Sequence, residues 1–181
     1  MEIREAVRAN TTEIFRVHEN AFGKDKGFEI KQLVNSLLED ITAKPSFSFV
    51  AVNNDTIIGH VLFTKVKILG ASEGLPAQIL APLAVLPDYQ NKGVGGRLVK
   101  GGIEELKKSG TKVVFVLGHP GYYPRYGFTP AGKHGFEAPY PIPNEHADAW
   151  MVQELSPGII GVEKGKVLCS DSLNKPEHWR E

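Results

Sequence analysis

Residues Gln78–Ser109 read QILAPLAVLPDYQNKGVGGRLVKGGIEELKKS. An apolar run from Ile79 to Leu86, interrupted by Pro82, predicts a buried strand. A polar link, Pro87 to Lys92, leads into the glycine cluster Gly93-Val94-Gly95-Gly96. Leu98, Val99, Ile103 and Leu106 then recur at spacings of three and four, which predicts a helix to about Ser109. Gly110 stops that helix, with Lys107 and Lys108 well placed in its last turn. A strand, a glycine turn and a helix start make an anion site. The first helical N–H groups lack an intrahelical partner, and the helix dipole adds positive potential. Glycines let the backbone approach phosphate oxygens without a Cβ in the way. The expected ligand of this stretch is the pyrophosphate of a nucleotide-like cofactor.

Working outward, Val113 to Leu117 is a short apolar run that returns beside the first strand after a helical crossover, which predicts a parallel pair. Upstream, Phe47–Val52 and Thr56–Lys67 are β-rich and flank Asn53-Asn54-Asp55, a hairpin signal. Ile3–Val7 predicts an edge strand. Asn10 and Glu13 predict a capping box for a helix through Ile14, Val17, His18 and Phe22, ended by Gly23. Phe28–Ile41 predicts a second helix, with Leu33, Val34, Leu37, Leu38 and Ile41 on one face. Downstream, Gly118–Phe128 is dense in Gly, Pro and Tyr. Strands are expected at Thr129–Phe136 and Ala149–Leu155, a loop at Pro139–Asp148, and short β-like pieces at Ile159–Val162 and Lys166–Cys169. No linker divides the chain. One domain over residues 1–181 is expected, with about 156–181 a less diagnostic C-terminal extension.

The chain has 181 residues, 41% hydrophobic and 23% charged, with Lys plus Arg equal to Asp plus Glu. A net charge of zero argues against broad nucleic-acid binding, which needs clustered positive charge. No apolar run is long enough to span a bilayer, and the start MEIREAVRAN lacks the apolar core of a signal peptide. The single cysteine, Cys169, permits no internal disulfide. A cytoplasmic protein is expected, without membrane or nucleic-acid partners. The six histidines are scattered without metal-ligand spacing, so no metal is expected.

Three phosphate-site designs compete for the glycine turn. A P-loop needs Gly, four residues, then Gly-Lys-Ser/Thr, which is absent. A dinucleotide fingerprint needs a third glycine and an acid ending the next strand; here Arg97 and Leu98 follow Gly96, and that strand ends Val116-Leu117-Gly118. The third design fits. Gln90-Asn91-Lys92-Gly93-Val94-Gly95 resembles the (Gln/Arg)-x-x-Gly-x-(Gly/Ala) signature of the GNAT superfamily of N-acetyltransferases. Leu83-Ala84-Val85-Leu86-Pro87 resembles that family's strand leading into the turn, and Tyr123-Pro124-Arg125-Tyr126-Gly127-Phe128 resembles its Tyr-x-x-x-Gly-Phe element. The order of elements matches over roughly residues 1 to 155. The tandem Tyr122-Tyr123 is similar to a bacterial and archaeal branch of predicted acetyltransferases.

The resemblance implies an α/β fold: a mixed, twisted GNAT-type sheet with helices on both faces. It implies acetyl-CoA as co-substrate and an amine acceptor. The amides from Lys92 to Gly96 would hold the pyrophosphate, with Gln90, Asn91 and Arg97 beside them, and Leu83, Ala84 and Val85 would pair with the pantetheine arm. The Val85 amide is the candidate for polarising the thioester carbonyl, and Pro82 marks where ladder pairing fails. Lys92, Arg97 and Lys100 are equally readable as solvated surface charges.

Aminolysis of a thioester poses two proton problems. A lysine-like amine has a pKa of about 10.4, so neutralising it at pH 7 costs about 4.6 kcal/mol. The departing thiolate also needs a proton, which a phenol, protonated at pH 7, can supply. By resemblance Tyr123 is that acid, with Tyr122 and Tyr126 as alternatives. Some family members use a glutamate on the cofactor strand as base, but Gln78-Ile79-Leu80-Ala81-Pro82 carries no acid. The candidates elsewhere are His18, Glu19, His60, His119, His134 and Glu145. Cys169 reads as a core thiol, not a nucleophile. The missing acid also motivates an alternative, a non-catalytic acyl-CoA-binding module.

Overall fold

The computed structural model describes residues 1–180. Strand β1 (Glu2–Glu5) precedes helices α1 (Thr11–Ala21) and α2 (Gly23–Glu39). Strands β2 (Phe47–Asn53), β3 (Thr56–Ile68) and β4 (Ala77–Val85) follow, then helix α3 (Val94–Lys108) and β5 (Val113–Leu117). Four shorter strands complete the set: β6 (Thr129–Pro130), β7 (Phe136–Glu137), β8 (Trp150–Glu154) and β9 (Gly165–Leu168). The main sheet runs β1-β2-β3-β4-β5-β8-β6, and β9 joins the end of β3 to β7. The β4–β5 and β7–β9 pairs are parallel, and the other pairs are antiparallel. The fold is the expected mixed α/β sheet with helices on both faces.

Strand β5 shows why both faces are covered. Val113 and Phe115 pack into one apolar cluster with Trp150, Leu173 and Trp179, whereas Val114 and Val116 pack under α3 with Leu98, Val99 and Leu106. A strand buried on both sides reads as an unbroken apolar run. Helices α1 and α2 cover the face opposite α3, where Ile14, Val17 and Val34 meet Val50, Ile57 and Ala84.

Four local expectations need correction. Gly23 does not end the helical region. At φ +76° it turns a corner after Phe22, and α2 starts there, five residues before the expected Phe28. Asn10 does not cap α1 with its side chain. A 3-10 turn at Arg8–Asn10 precedes the helix, and the Asn10 Oδ1 accepts from the Val7 N–H at 2.9 Å and from Arg4 at 3.1 Å. Thr129–Phe136 is not one strand, because the turn Gly132–His134, closed by Gly135 at φ +84°, separates β6 from β7. In Ile159–Val162 the ladder reduces to a single bridge between Ile160 and Glu163.

Candidate active site

Strand β4 changes partners half-way along. It pairs with β5 only from Ala77 to Leu80. Against β3, Phe63 faces Leu80 but Val61 faces Leu83, so β4 carries one extra residue. The bulge falls at Ala81-Pro82, where proline has no N–H to give the ladder. A one-residue insertion exchanges the faces of everything after it. Leu80 packs toward α3 before the bulge, Leu83 and Val85 do so after it, and Ala84 joins the α1 face. The backbone follows the same alternation. The Leu86 N–H donates to the Ile58 carbonyl at 2.8 Å, so the N–H groups of Leu83 and Val85 turn away from β3. They face the side that β5 has left. Among the described residues, no strand covers that edge of β4 from Ala81 to Val85.

The turn into α3 depends on left-handed backbone at Asn91 (φ +60°) and Gly93 (φ +84°). Arg97 makes the first helical bond, to the Gly93 carbonyl at 3.1 Å, which leaves the N–H groups of Val94, Gly95 and Gly96 without helical acceptors. The Gln90 Nε2 donates to the Val85 carbonyl at 2.9 Å and ties the turn to the strand end. Space is open where a Cβ of Gly93 would stand. Gly95 and Gly96 serve a different purpose. A Cβ on Gly95 would lie 2.5 Å from the Tyr122 hydroxyl, and one on Gly96 would overlap the Tyr126 hydroxyl and ring. The glycine motif and the tyrosine motif therefore interlock. Lys92 lies 6.0 Å over the Tyr89 ring, and Arg97 donates to the Met1 carbonyl at 3.3 Å, away from the glycine turn.

Tyr123 opens a 3-10 turn after β5. Its ring lies against Gly118, where a Cβ would overlap it, and meets Phe128 edge-to-face at 5.7 Å. Burial, then the neighbouring Tyr122, pushes the Tyr123 phenol well above its ordinary value, so it stays protonated at neutral pH. Tyr123 lines a cavity of about 950 Å³. Residues 79–83 of β4 form one wall and Leu117–His119 another. Phe22, α2 and the segment around Leu173–Trp179 complete the lining. The first part of the unpaired edge, Ala81 to Leu83, and the tyrosine thus share one space, of a size that accepts a small organic molecule, whereas Ala84, Val85 and the glycine turn are not in its lining.

Residues 2–131 match the family model described as an acetyltransferase (GNAT) domain. The chain belongs to the GNAT family of N-acetyltransferases. It is 46% identical to the Escherichia coli K12 protein named as the uncharacterized N-acetyltransferase YjhQ, over 91% of this chain and 89% of that one. The E. coli GNAT protein YhbS, solved in complex with CoA, superposes with a TM-score of 0.85 at 28% identity, covering 96% of this chain and 92% of that one. A Brucella melitensis GNAT acetyltransferase, solved with acetyl-CoA, gives 0.72 at 26% identity, covering 95% and 97%.

Of the base candidates in this GNAT chain, the fold brings only His119 to the cavity. His18 and His60 are fully buried between α1 and the sheet. The His18 Nε2 and His60 Nδ1 are hydrogen-bonded at 2.8 Å, and the Ser48 hydroxyl meets the His60 Nε2 at 2.7 Å. Burial lowers the His18 pKa to about 3; burial, then His18, holds His60 well below its ordinary value. Both are neutral core groups. Glu19 pairs with Lys31 at 3.0 Å, His134 meets the Thr129 hydroxyl at 3.1 Å, and Glu145 does not line the cavity. Burial pushes the Cys169 thiol up to about 12, which leaves it unreactive.

The cavity also holds groups that the sequence reading passed over: Lys26 and Glu29 on α2, His146, and Glu177 and His178. The only local signal was Pro176-Glu177-His178-Trp179, a proline-started turn ending in an aromatic anchor. Among the described residues, no group of three or more His, Cys, Asp or Glu is gathered as a metal ion needs, and no helix is long and apolar enough to cross a membrane.

Proposed function

We propose that this protein transfers the acetyl group of acetyl-CoA to a primary amine of a small molecule or protein, by direct attack in a ternary complex. The observation that carries this reading is the convergence on one cavity of Ala81 to Leu83 of the unpaired β4 edge and Tyr123, with α3 joined to that cavity by Gly95, which lies against Tyr122 of its lining. The CoA and acetyl-CoA bound to the structural neighbours support it. The N–H groups of Val94, Gly95 and Gly96 hold the pyrophosphate, with Gln90, Asn91, Lys92 and Gly93 shaping the turn. Leu83 and Val85 pair with the pantetheine arm as an added strand would, and the Val85 N–H polarises the thioester carbonyl. Arg97 is the weakest of the cofactor-side residues, because Met1 already engages it. Tyr123 gives its phenolic proton to the departing thiolate; its raised pKa keeps that proton present throughout the neutral range and makes it harder to give up. A cytoplasmic setting agrees with a single free thiol. The non-catalytic acyl-CoA-binding alternative is not favoured by relatives named as transferases.

The test is release of free CoA thiol from acetyl-CoA across a panel of amines and peptides, with Tyr123→Phe alongside. The variant should lose about 100-fold in kcat while its calorimetric Kd for acetyl-CoA stays unchanged. An undiminished rate across pH would remove Tyr123 from the acid role. Absence of acetyl-CoA binding at millimolar concentration would overturn the enzyme reading.

A further inference from the structure

Acetyl transfer as proposed above leaves the amine proton without a named acceptor, and the present inference rests on that reading. The cavity supplies a short set of groups. Among its members, the Tyr122 and Tyr123 phenols, held above their ordinary value by burial first, are donors. His119 is held the wrong way round. Its Nδ1 accepts the Gly121 N–H at 2.9 Å, so the neutral ring carries its proton on Nε2 and offers a donor there. His146 sits on an exposed turn and is itself exposed. Glu29 and Glu177 are exposed carboxylates, which are weak bases in water.

His178 is different, because the fold builds a support for it. The segment from Ser170 to Trp179 crosses from the end of α2 to the sheet. At one end the Asp40 Oδ2 accepts from the Ser172 N–H at 3.0 Å and its hydroxyl at 2.8 Å, while the Thr42 hydroxyl oxygen accepts from the Asp171 N–H at 2.9 Å. At the other end Trp179 is 2% exposed, stands edge-on to Trp150 at 5.6 Å, and donates its indole N–H to the Leu173 carbonyl at 2.9 Å. Between these anchors the half-buried His178 lines the same cavity as Tyr123. The Ser172 backbone favours a proton on the ring. This strap lies beyond residue 131, where the family-model match ends.

We propose that His178 accepts the proton of the attacking amine, carried to the acceptor side of the cavity by this doubly anchored strap. The amine lone pair forms the new C–N bond, and the N–H proton passes to the free ring nitrogen of His178. The C–S bond breaks, and its electron pair takes the Tyr123 proton. Solvent then returns a proton to the phenolate and removes one from the imidazolium, so amine and thioester become amide and thiol without net proton change. Burial, then Lys175, lowers the His178 pKa, so the ring is in its base form at neutral pH; Glu177 and Glu29 partly oppose that shift and stabilise the imidazolium when it forms. Lys26 from α2, His119 and His146 from the loops, and Tyr122 beside Tyr123 complete the ionisable groups around this space.

The experiment is the pH profile of kcat/KM, from pH 5 to 10, for a primary amine that turns over. The proteins compared are wild type, His178→Gln, His178→Ala, His146→Gln and Glu177→Gln. His178→Gln should lose at least about 100-fold in kcat at pH 7, keep the acetyl-CoA Kd, and recover toward high pH where the free amine needs no base. Added imidazole should partly rescue His178→Ala. Glu177→Gln, on an exposed position that does not threaten folding, should move the acidic limb to lower pH because the imidazolium loses a neighbouring anion. Wild-type turnover with His178→Gln within threefold across the profile would overturn this assignment alone, as would loss of the acidic limb in His146→Gln instead. So would an acidic limb that does not move in Glu177→Gln. Wild-type protein that binds acetyl-CoA yet acetylates no amine would overturn the acetyl-transfer reading and this assignment with it.

Discussion

Mild acid should unfold this protein through two histidines that take no part in the chemistry. His18 and His60 sit fully buried in line with Ser48, and burial holds both neutral. In the unfolded chain the same rings titrate at 6.5. Below that pH the unfolded state binds more protons than the native state, so stability falls as pH falls. For His18 the loss continues down to its folded pKa of about 3. Between pH 7 and pH 5, a histidine that titrates at 6.5 only when unfolded removes about 2 kcal/mol. Two of them remove about 4 kcal/mol, a large share of the 5–15 kcal/mol that holds a typical domain together. The half-buried His178 acts in the same direction. Urea unfolding at pH 7, 6 and 5 measures this directly, followed by the fluorescence of Trp150 and Trp179, which are 3% and 2% exposed. His18→Gln should be less stable at pH 7 but lose only about half as much on going to pH 5. A wild-type loss below about 1 kcal/mol across that interval would show that the pair is not locked neutral, and the reasoning would fail.

Gly93→Ala meets no steric obstacle, but its φ of +84° costs a Cβ about 1–2 kcal/mol. Calorimetry should show roughly tenfold weaker acetyl-CoA binding with little change in kcat at saturation. Gly102→Ala would place a Cβ 2.5 Å from the Phe63 ring under α3, and the same urea series should register about 1–3 kcal/mol of lost stability with the acetyl-CoA Kd retained. Cys169, with its thiol pushed up to about 12, should react with a thiol reagent at pH 8 about a thousandfold more slowly in the native protein than in urea.

The strand, glycine turn and helix of Gln78–Ser109 were legible because their causes are local. Apolar spacing, a left-handed glycine and a proline that cannot feed the ladder act within a few residues of one another. The hairpin about Asn54 and Asp55, both at positive φ, and the two-sided strand Val113–Leu117 were legible for the same reason. Tyr123 was singled out only through family resemblance, since no local rule separates it from Tyr122 or Tyr126. The fit of Tyr122 and Tyr126 onto Gly95 and Gly96 joins two motifs about 27 to 30 residues apart in the sequence, and neither motif implies it alone. Gly23 looked like a helix end because a glycine at positive φ can end one helix or turn the corner into the next; the packing of α2 on α1 settled which. The histidines were the least legible. His18 and His60 meet across 42 residues, and Asp40 holds the Ser172 end of the strap across 132. Burial and partner identity set what an imidazole does, and both are created by chain closure. The local sequence was therefore enough for the strand, glycine turn and helix of Gln78–Ser109, where short-range geometry is sufficient. The side of the cavity lined by Glu29 and His178 exists because tertiary packing of Trp179 on Trp150, with the Asp40 and Thr42 hydrogen bonds to Ser172 and Asp171, brings the last part of the described chain across α2.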